Sequence, residues 1–342
     1  MKSKYIAWAI APIFLIGCSD YLETPPSVDY GENEVFATRA DAEKLLTTLY
    51  AEGMPYGFCM SSTNTDRRLL SSSTLASACD EGEDVATWAM GNAAWNAGNH
   101  TNTNFPWDED CRFYLRNHTM RVANLILKRI HEVPFDEGDP DFNKRTTGEA
   151  YFMRAMLLWE GVYRYGGMPI VRDVIDPTDF SQRPRNSFSD CIDSILIDCD
   201  RATQYLPDYY TDNTKLGRAT RIAALALKAR VLLYAASPLF NTSTPYMSFP
   251  GHEDLIGYGN YDRERWKKAA DAAKAAIDAA LASGHYKIHN TGNPDKDYED
   301  VWTIPDNEEI ILGNMKYRNF KTTSRPLVAN LPTWAMNKAW GD

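Results

Sequence analysis

The chain has 342 residues, 44% of them hydrophobic, and it sets 36 lysines and arginines against 46 aspartates and glutamates for a formal net charge of −10. That length can bury one large core or two smaller ones. An acidic balance with both signs mixed along the chain leaves no basic footprint for a nucleic-acid partner.

Lys2 and Lys4 precede an apolar run from Tyr5 to Gly17, which is shorter than the roughly 20 residues a membrane-spanning helix needs. A basic start, a short apolar stretch and a small residue at the end read as a secretory signal over residues 1–17. The ending Leu15-Ile16-Gly17-Cys18 resembles a bacterial lipobox, in which Cys18 is lipidated and becomes the first residue of an anchored, not spanning, protein. Five further cysteines, Cys59, Cys79, Cys111, Cys191 and Cys199, are odd in number and irregular in spacing, which is no disulfide framework. Cys191 and Cys199 fall on one expected helix about 12 Å apart, beyond disulfide reach, and are expected to be buried free thiols.

Residues 18–34 are polar, acidic and proline-bearing, as an extended tether would be. A first helix is expected from Arg39, with Ala42, Leu45, Leu46 and Leu49 on one face. Residues 53–107 are rich in Ser, Thr, Asn and Gly, a long irregular stretch of the kind that is functional or disordered in compact domains. From Cys111 the pattern is helix after helix. Residues 110–132 align Leu115, Val122, Leu125, Ile126 and Ile130, and residues 148–165 align Ala155, Leu158, Val162 and Tyr165 before Gly166-Gly167. Ser187, Thr220 and Asp262 are N-cap candidates for three more helices, with Gly284 at the C′ position of the last. Glu309 to Leu312 carry the best strand signal. The class is mainly α, and the small faces Ala223 and Ala226 against Ala269, Ala273 and Ala276 suggest tetratricopeptide-like helical hairpins without a strict repeat.

No GxSxG, HExxH, P-loop or paired CxxC motif is present, so no enzyme, no catalytic residue and no metal ligand is expected. Asp80-Glu81 and Glu83-Asp84 could in principle serve a glycosidase, but a solvated acidic loop is the plainer reading. Asp295, Asp297, Glu299 and Asp300 faintly resemble a calcium loop, yet the glycine and terminal glutamate of such a loop are missing. No cofactor is expected; a structural calcium is the weaker alternative to a charged loop before a strand. Sugars offer apolar C–H faces to flat rings and hydroxyls to amides and carboxylates, so a carbohydrate site is an aromatic platform with a few polar groups. Trp88, Trp95 and Trp107, with Asn96 among several asparagines and Asp80 nearby, have that character and are the candidate glycan contacts. Trp107 lies just before a helix and could equally plug it. Trp159, Tyr163, Tyr234 and Trp266 fall at helical spacing and are expected to be mostly core.

The segments GEAYFMRAMLLWEGVYRYGGMPIVRD (148–173) and GRATRIAALALKARVLLYAASPLFN (217–241) resemble the SusD/RagB family of Bacteroidetes outer-membrane lipoproteins. Residues 187–207, 266–281 and 298–312, and the lipobox with its CSDYLETPP continuation, follow in the family's order. The resemblance implies a SusD-like helical scaffold over residues 18–342, with its helices in 35–330 and much of the ligand site in the irregular region. It implies a surface-exposed lipoprotein of the outer membrane, anchored through Cys18 (palmitate being the modification type), that binds glycans and hands them to a SusC-like TonB-dependent transporter. Some members bind peptides instead, and an adaptor that docks a protein on its helical hairpins is a further alternative. Residues 331–342 resemble the point where the family's C-terminal portion begins, so the chain is expected to lack that portion.

Overall fold

The computed structural model describes residues 31–54, 98, 113–176, 178–304 and 306–313. The α-helices are α1 (Glu32–Val35), α2 (Arg39–Gly53), α3 (Phe113–Arg129), α4 (Phe142–Tyr165), α5 (Phe188–Tyr205), α6 (Arg221–Ala236), α7 (Arg263–Ala282) and α8 (Pro294–Thr303). Side-chain oxygens set the starts of α2, α5, α6 and α7. Thr38, Ser187, Thr220 and Asp262 each accept a backbone N–H two or three residues ahead, at 2.9 to 3.2 Å, and each such cap stabilises its helix by about 1 kcal/mol. Three of these caps are the ones the sequence marks. At the other end, Gly166 (φ +76°) closes α4 and Gly284 (φ +71°) follows α7, both in the region where a Cβ is costly.

Four expectations are corrected. The sequence suggests an extended tether to residue 34, but residues 32–35 already form a helical turn, pinned by Glu32 to Arg121 (3.2 Å) and by Asn33 to Arg129 (2.9 Å). The helix expected from residue 148 begins at Phe142: its first turns bury Arg145 against Asp139 and Glu149 against Arg218, polar burial that apolar periodicity does not register. The strand expected at 309–312 is turn and bend, and no strand occurs among the described residues. The expected charged loop at 295–300 is instead α8, started by Pro294 at its first turn and by Asn293, whose Oδ1 accepts from Asp295 and Lys296.

The long helices pack on their neighbours in chain order, α2 on α3, α3 on α4, and so on to α6 on α7. Helix α4 is the centre, buried around most of its circumference, which is the state of a helix with partners on both sides. On one side, Met153 and Leu157 join Leu46, Leu49, Val122, Ile126 and Leu206. On the other, Leu158, Trp159 and Val162 join Phe188, Ile192, Ile195 and Val231. Close approach needs small residues: a Cβ on Gly148 would sit 2.8 Å from the Leu206 side chain. Between α6 and α7 the contact alanines Ala223, Ala269 and Ala276 are buried, with Ala226 and Ala273 half-buried. Cys191 and Cys199 are buried and free, as expected, and burial raises both thiol pKa values.

Charge is buried in pairs. Arg154 on α4 grips Asp198 on α5 with two bonds of 2.7 and 2.8 Å and reaches Asn124 on α3 at 2.9 Å. Asn124 in turn donates to the carbonyls of Val171 and Asp173, and Arg172 adds a bond to Asp198. A second cluster closes the N-terminal end of α4. Asp139 takes both Arg145 nitrogens at 2.9 and 2.8 Å, which holds its carboxyl at about 2. Fully buried Glu149 is pushed up by burial, against the pull of Arg218.

Breaking a buried pair leaves an uncompensated charge, whereas replacing both partners by apolar groups is often tolerated. Arg154→Met should therefore lower the unfolding free energy by about 3–5 kcal/mol in urea titrations, and adding Asp198→Leu should recover part of that loss. A double variant weaker than the single would refute the account.

His289 lies 3.0 Å from Asp300 and 3.2 Å from Glu308, and its bonds to Asp300 and then Glu308 raise its pKa above 6.5. A raised native pKa adds stability in full below the unfolded value, and that stability is lost as pH climbs through the native value. Thermal melts should weaken on the alkaline side of 6.5, and His289→Gln should flatten that slope. An unchanged slope in the variant would assign it elsewhere.

Candidate functional site

The residues selected from the sequence, Cys18, Asp80, Trp88, Trp95, Asn96 and Trp107, all lie outside the described residues. What the described structure adds is a line of aromatic contacts across α4, α5, α6 and the segment after α6. Tyr163 meets Trp159 at 5.4 Å between ring centroids, and Trp159 meets Tyr234 edge-on at 5.2 Å. Tyr234 touches Phe240 at 5.5 Å, Phe240 stacks on Phe188 at 4.3 Å, and Phe188 meets Tyr258 edge-on at 5.2 Å. Such ring pairs each add about 0.5–1.5 kcal/mol beyond the area they bury. Trp159 is buried as expected, but Tyr234 and Trp266 are 39% and 38% exposed, so these two are surface rings and not core.

Both ends of this line carry polar groups. At the Tyr163 end, its hydroxyl lies 3.3 Å from the Glu160 carboxylate, Arg164 binds the same oxygen at 2.8 Å, and the Arg164 guanidinium lies 4.5 Å from the Tyr163 ring centroid. At the Tyr258 end, Arg265 sits 3.7 Å over the ring and binds Asn241 Oδ1 at 2.6 Å and Asn260 Oδ1 at 2.9 Å. Burial pushes the Tyr258 hydroxyl up to about 12, so it is a neutral group in use.

The 237–262 segment is irregular apart from one short turn, yet its backbone is fastened at both ends. Buried Asn241 donates to the carbonyls of Ala236 and Asp262 and accepts from the Asp262 N–H at 2.8 Å. Tyr258 donates its N–H to Phe240 O at 2.9 Å, and Gly167 donates to Leu255 O at 2.7 Å. That last approach demands glycine. A Cβ on Gly166 would lie 2.1 Å from Leu255 O, and one on Gly167 2.0 Å from Asn186 O. Gly166-Gly167, which the sequence offers only as a helix stop, is therefore also the seat of the loop. Rings held on a fixed frame beside amides, a carboxylate and a guanidinium can bind an uncharged polyhydroxy ligand by stacking and hydrogen bonding. Among the described residues no group of three or more His, Cys, Asp or Glu is arranged to hold a metal. Asp297 bonds Thr291, and Asp300 bonds Lys296 and His289. No helix among the described residues is long and apolar enough to cross a membrane.

A profile of the SusD-like family described as "Starch-binding associating with outer membrane" matches residues 20–233. The fold is similar to that of the protein BT4246, at 25% identity and a TM-score of 0.60, over 75% of this chain and 43% of that one. A SusD-like protein from Bacteroides fragilis is 24% identical with a TM-score of 0.51, over 85% of this chain and 45% of its own. A laminarin binding SusD-like protein is 19% identical with a TM-score of 0.57, over 81% and 51%. The chain thus spans about half, or less, of the length of these matched structures. No curated protein matches it.

The Arg265 bridge makes the loop's rigidity testable. Losing hydrogen bonds to a charged group costs about 1.5–3 kcal/mol, so Arg265→Ala should speed amide exchange in residues 256–262 by roughly tenfold or more while leaving α2 and α3 protected. Unchanged exchange in the loop would show that its fixation lies elsewhere.

Proposed function

This chain belongs to the SusD-like family, and from that membership we propose that it is a lipid-anchored cell-surface protein that binds glycans without catalysis and passes them to a SusC-like TonB-dependent transporter. The observation that carries the reading is the profile match over residues 20–233, whose description names starch binding and outer-membrane association. A protein of the same fold is described as laminarin binding, which supports a polysaccharide as the ligand class here. The lipobox ending at Cys18 supports attachment of the chain to the membrane through lipid. Trp88 and Trp95 are the proposed stacking rings, with Asn96 and Asp80 as hydroxyl partners and Trp107 as a further candidate ring. No enzymatic motif in the sequence competes with a binding role. Peptide capture and protein docking are the outcomes that would replace glycan binding.

Two measurements check this. Calorimetric titration against laminarin, soluble starch and xylan should find at least one ligand, and Trp88→Ala and Trp95→Ala should each weaken it by about fivefold or more, the 1 kcal/mol that marks a binding hot spot. Full binding by both variants would remove these rings from the site, and no binding by the wild type would favour peptide or protein. In cells fed labelled palmitate, Cys18→Ser should abolish incorporation and move the protein into the soluble fraction. Retained label would overturn the anchor.

A further inference from the structure

We propose that the loop between α6 and α7 is a second carbohydrate-contact surface, on which Tyr246, Phe249 and Tyr261 stack against the sugar rings of a neutral glycan; this rests on the glycan-binding reading above. The first ground is where the exposed rings lie. Nine aromatic side chains among the described residues are more than a third exposed, and five of them, Tyr234, Tyr246, Phe249, Tyr261 and Trp266, fall within 33 consecutive positions. Tyr246 and Tyr261 are 79% and 61% exposed, which core packing does not explain. A concentration of exposed apolar rings, unlike one isolated ring, points to an interaction surface.

The second ground is their setting. Thr242, Thr244, Ser248 and Asn260 lie within a few positions of the rings along the chain, so the loop also carries hydrogen-bonding groups suited to hydroxyls. From residue 237 to 262 there is no lysine or arginine, and Glu253, Asp254 and Asp262 are the formal charges. Nothing on the loop itself pairs with an anionic polymer, which directs the inference to an uncharged sugar chain. The third ground is fixation. The Asn241 bridge to Asp262, the Tyr258 bond to Phe240, the Leu255 bond to Gly167 and the Arg265 clamp on Asn241 and Asn260 hold the two ends of the loop, residues 240–241 and 255–262, before any ligand arrives. Ordering a loop on binding subtracts from affinity, and a frame already ordered avoids that loss.

The test uses the full chain with laminarin, soluble starch and xylan, comparing wild type, the double variant Tyr246→Ala/Phe249→Ala, and Tyr261→Ala. All three side chains are exposed, so melting temperatures should stay within a degree or two of wild type, which is checked first. The expected result is glycan affinity at least about fivefold weaker in the double variant, with the 241–261 amides of the wild type protected from exchange by saturating glycan. Wild-type binding that the loop variants retain in full, with no protection of 241–261, would overturn the second surface and leave the glycan-binding reading standing. A wild type that binds none of the three glycans would overturn both.

Discussion

The helical array turns on one guanidinium. Arg154 sits in the middle of α4, almost wholly buried, with its nitrogens committed to Asp198 on α5 and Asn124 on α3. A charge in that place is tolerable only when its partners are correctly aimed. The bonds therefore set the rotation of α4 against both neighbours, and with it which side chains face which core. Asp198 also draws in Arg172, and Asn124 holds the carbonyls of Val171 and Asp173. The extended chain after Gly167 is thus stitched to the same centre, with Gly166-Gly167 positioned to receive the loop from α6.

From that centre the aromatic line follows. Trp159 lies five residues past Arg154 on α4, Phe188 opens α5, and Tyr234 closes α6. Their contacts depend on the three helices keeping register, which the ion pair and the close seat of Gly148 against Leu206 enforce. The rings carry the core outward to a surface loop whose own backbone is fastened to α4 and α7. Binding surfaces commonly sit on loops held by a rigid scaffold. Here the fastening is a chain of rings and one arginine rather than regular structure.

Much of the fold is legible in the sequence because helix ends obey local chemistry. Ser187, Thr220 and Asp262 cap the helices they mark, and Gly166 and Gly284 close theirs. Illegible parts are those where burial is polar. The first turns of α4 hide Arg145 behind Asp139 and Glu149 behind Arg218, and a hydrophobic pattern has no means of recording that. The turn-forming end at 309–312 reads as a strand because Ile310-Ile311-Leu312 has the composition of one, yet Ile311 and Leu312 simply lean on the core from a bend. Tyr234 and Trp266 stand at helical spacing as core residues do, and only the position of neighbouring helices leaves them exposed.

By itself, the amino-acid sequence determined the helical class, most helix starts, the buried free state of Cys191 and Cys199, and the family to which the chain belongs. These rest on caps, periodicity and short motifs, all of which act within a few residues along the chain. Only the tertiary structure decided that Arg154 and Asp198 pair, that Gly166-Gly167 seats a loop 88 residues further on at Leu255, and that the rings of the 234–266 stretch divide between core and surface. Each of those is a long-range choice set by desolvation and packing, and neither acts on a residue until its distant partners are in place.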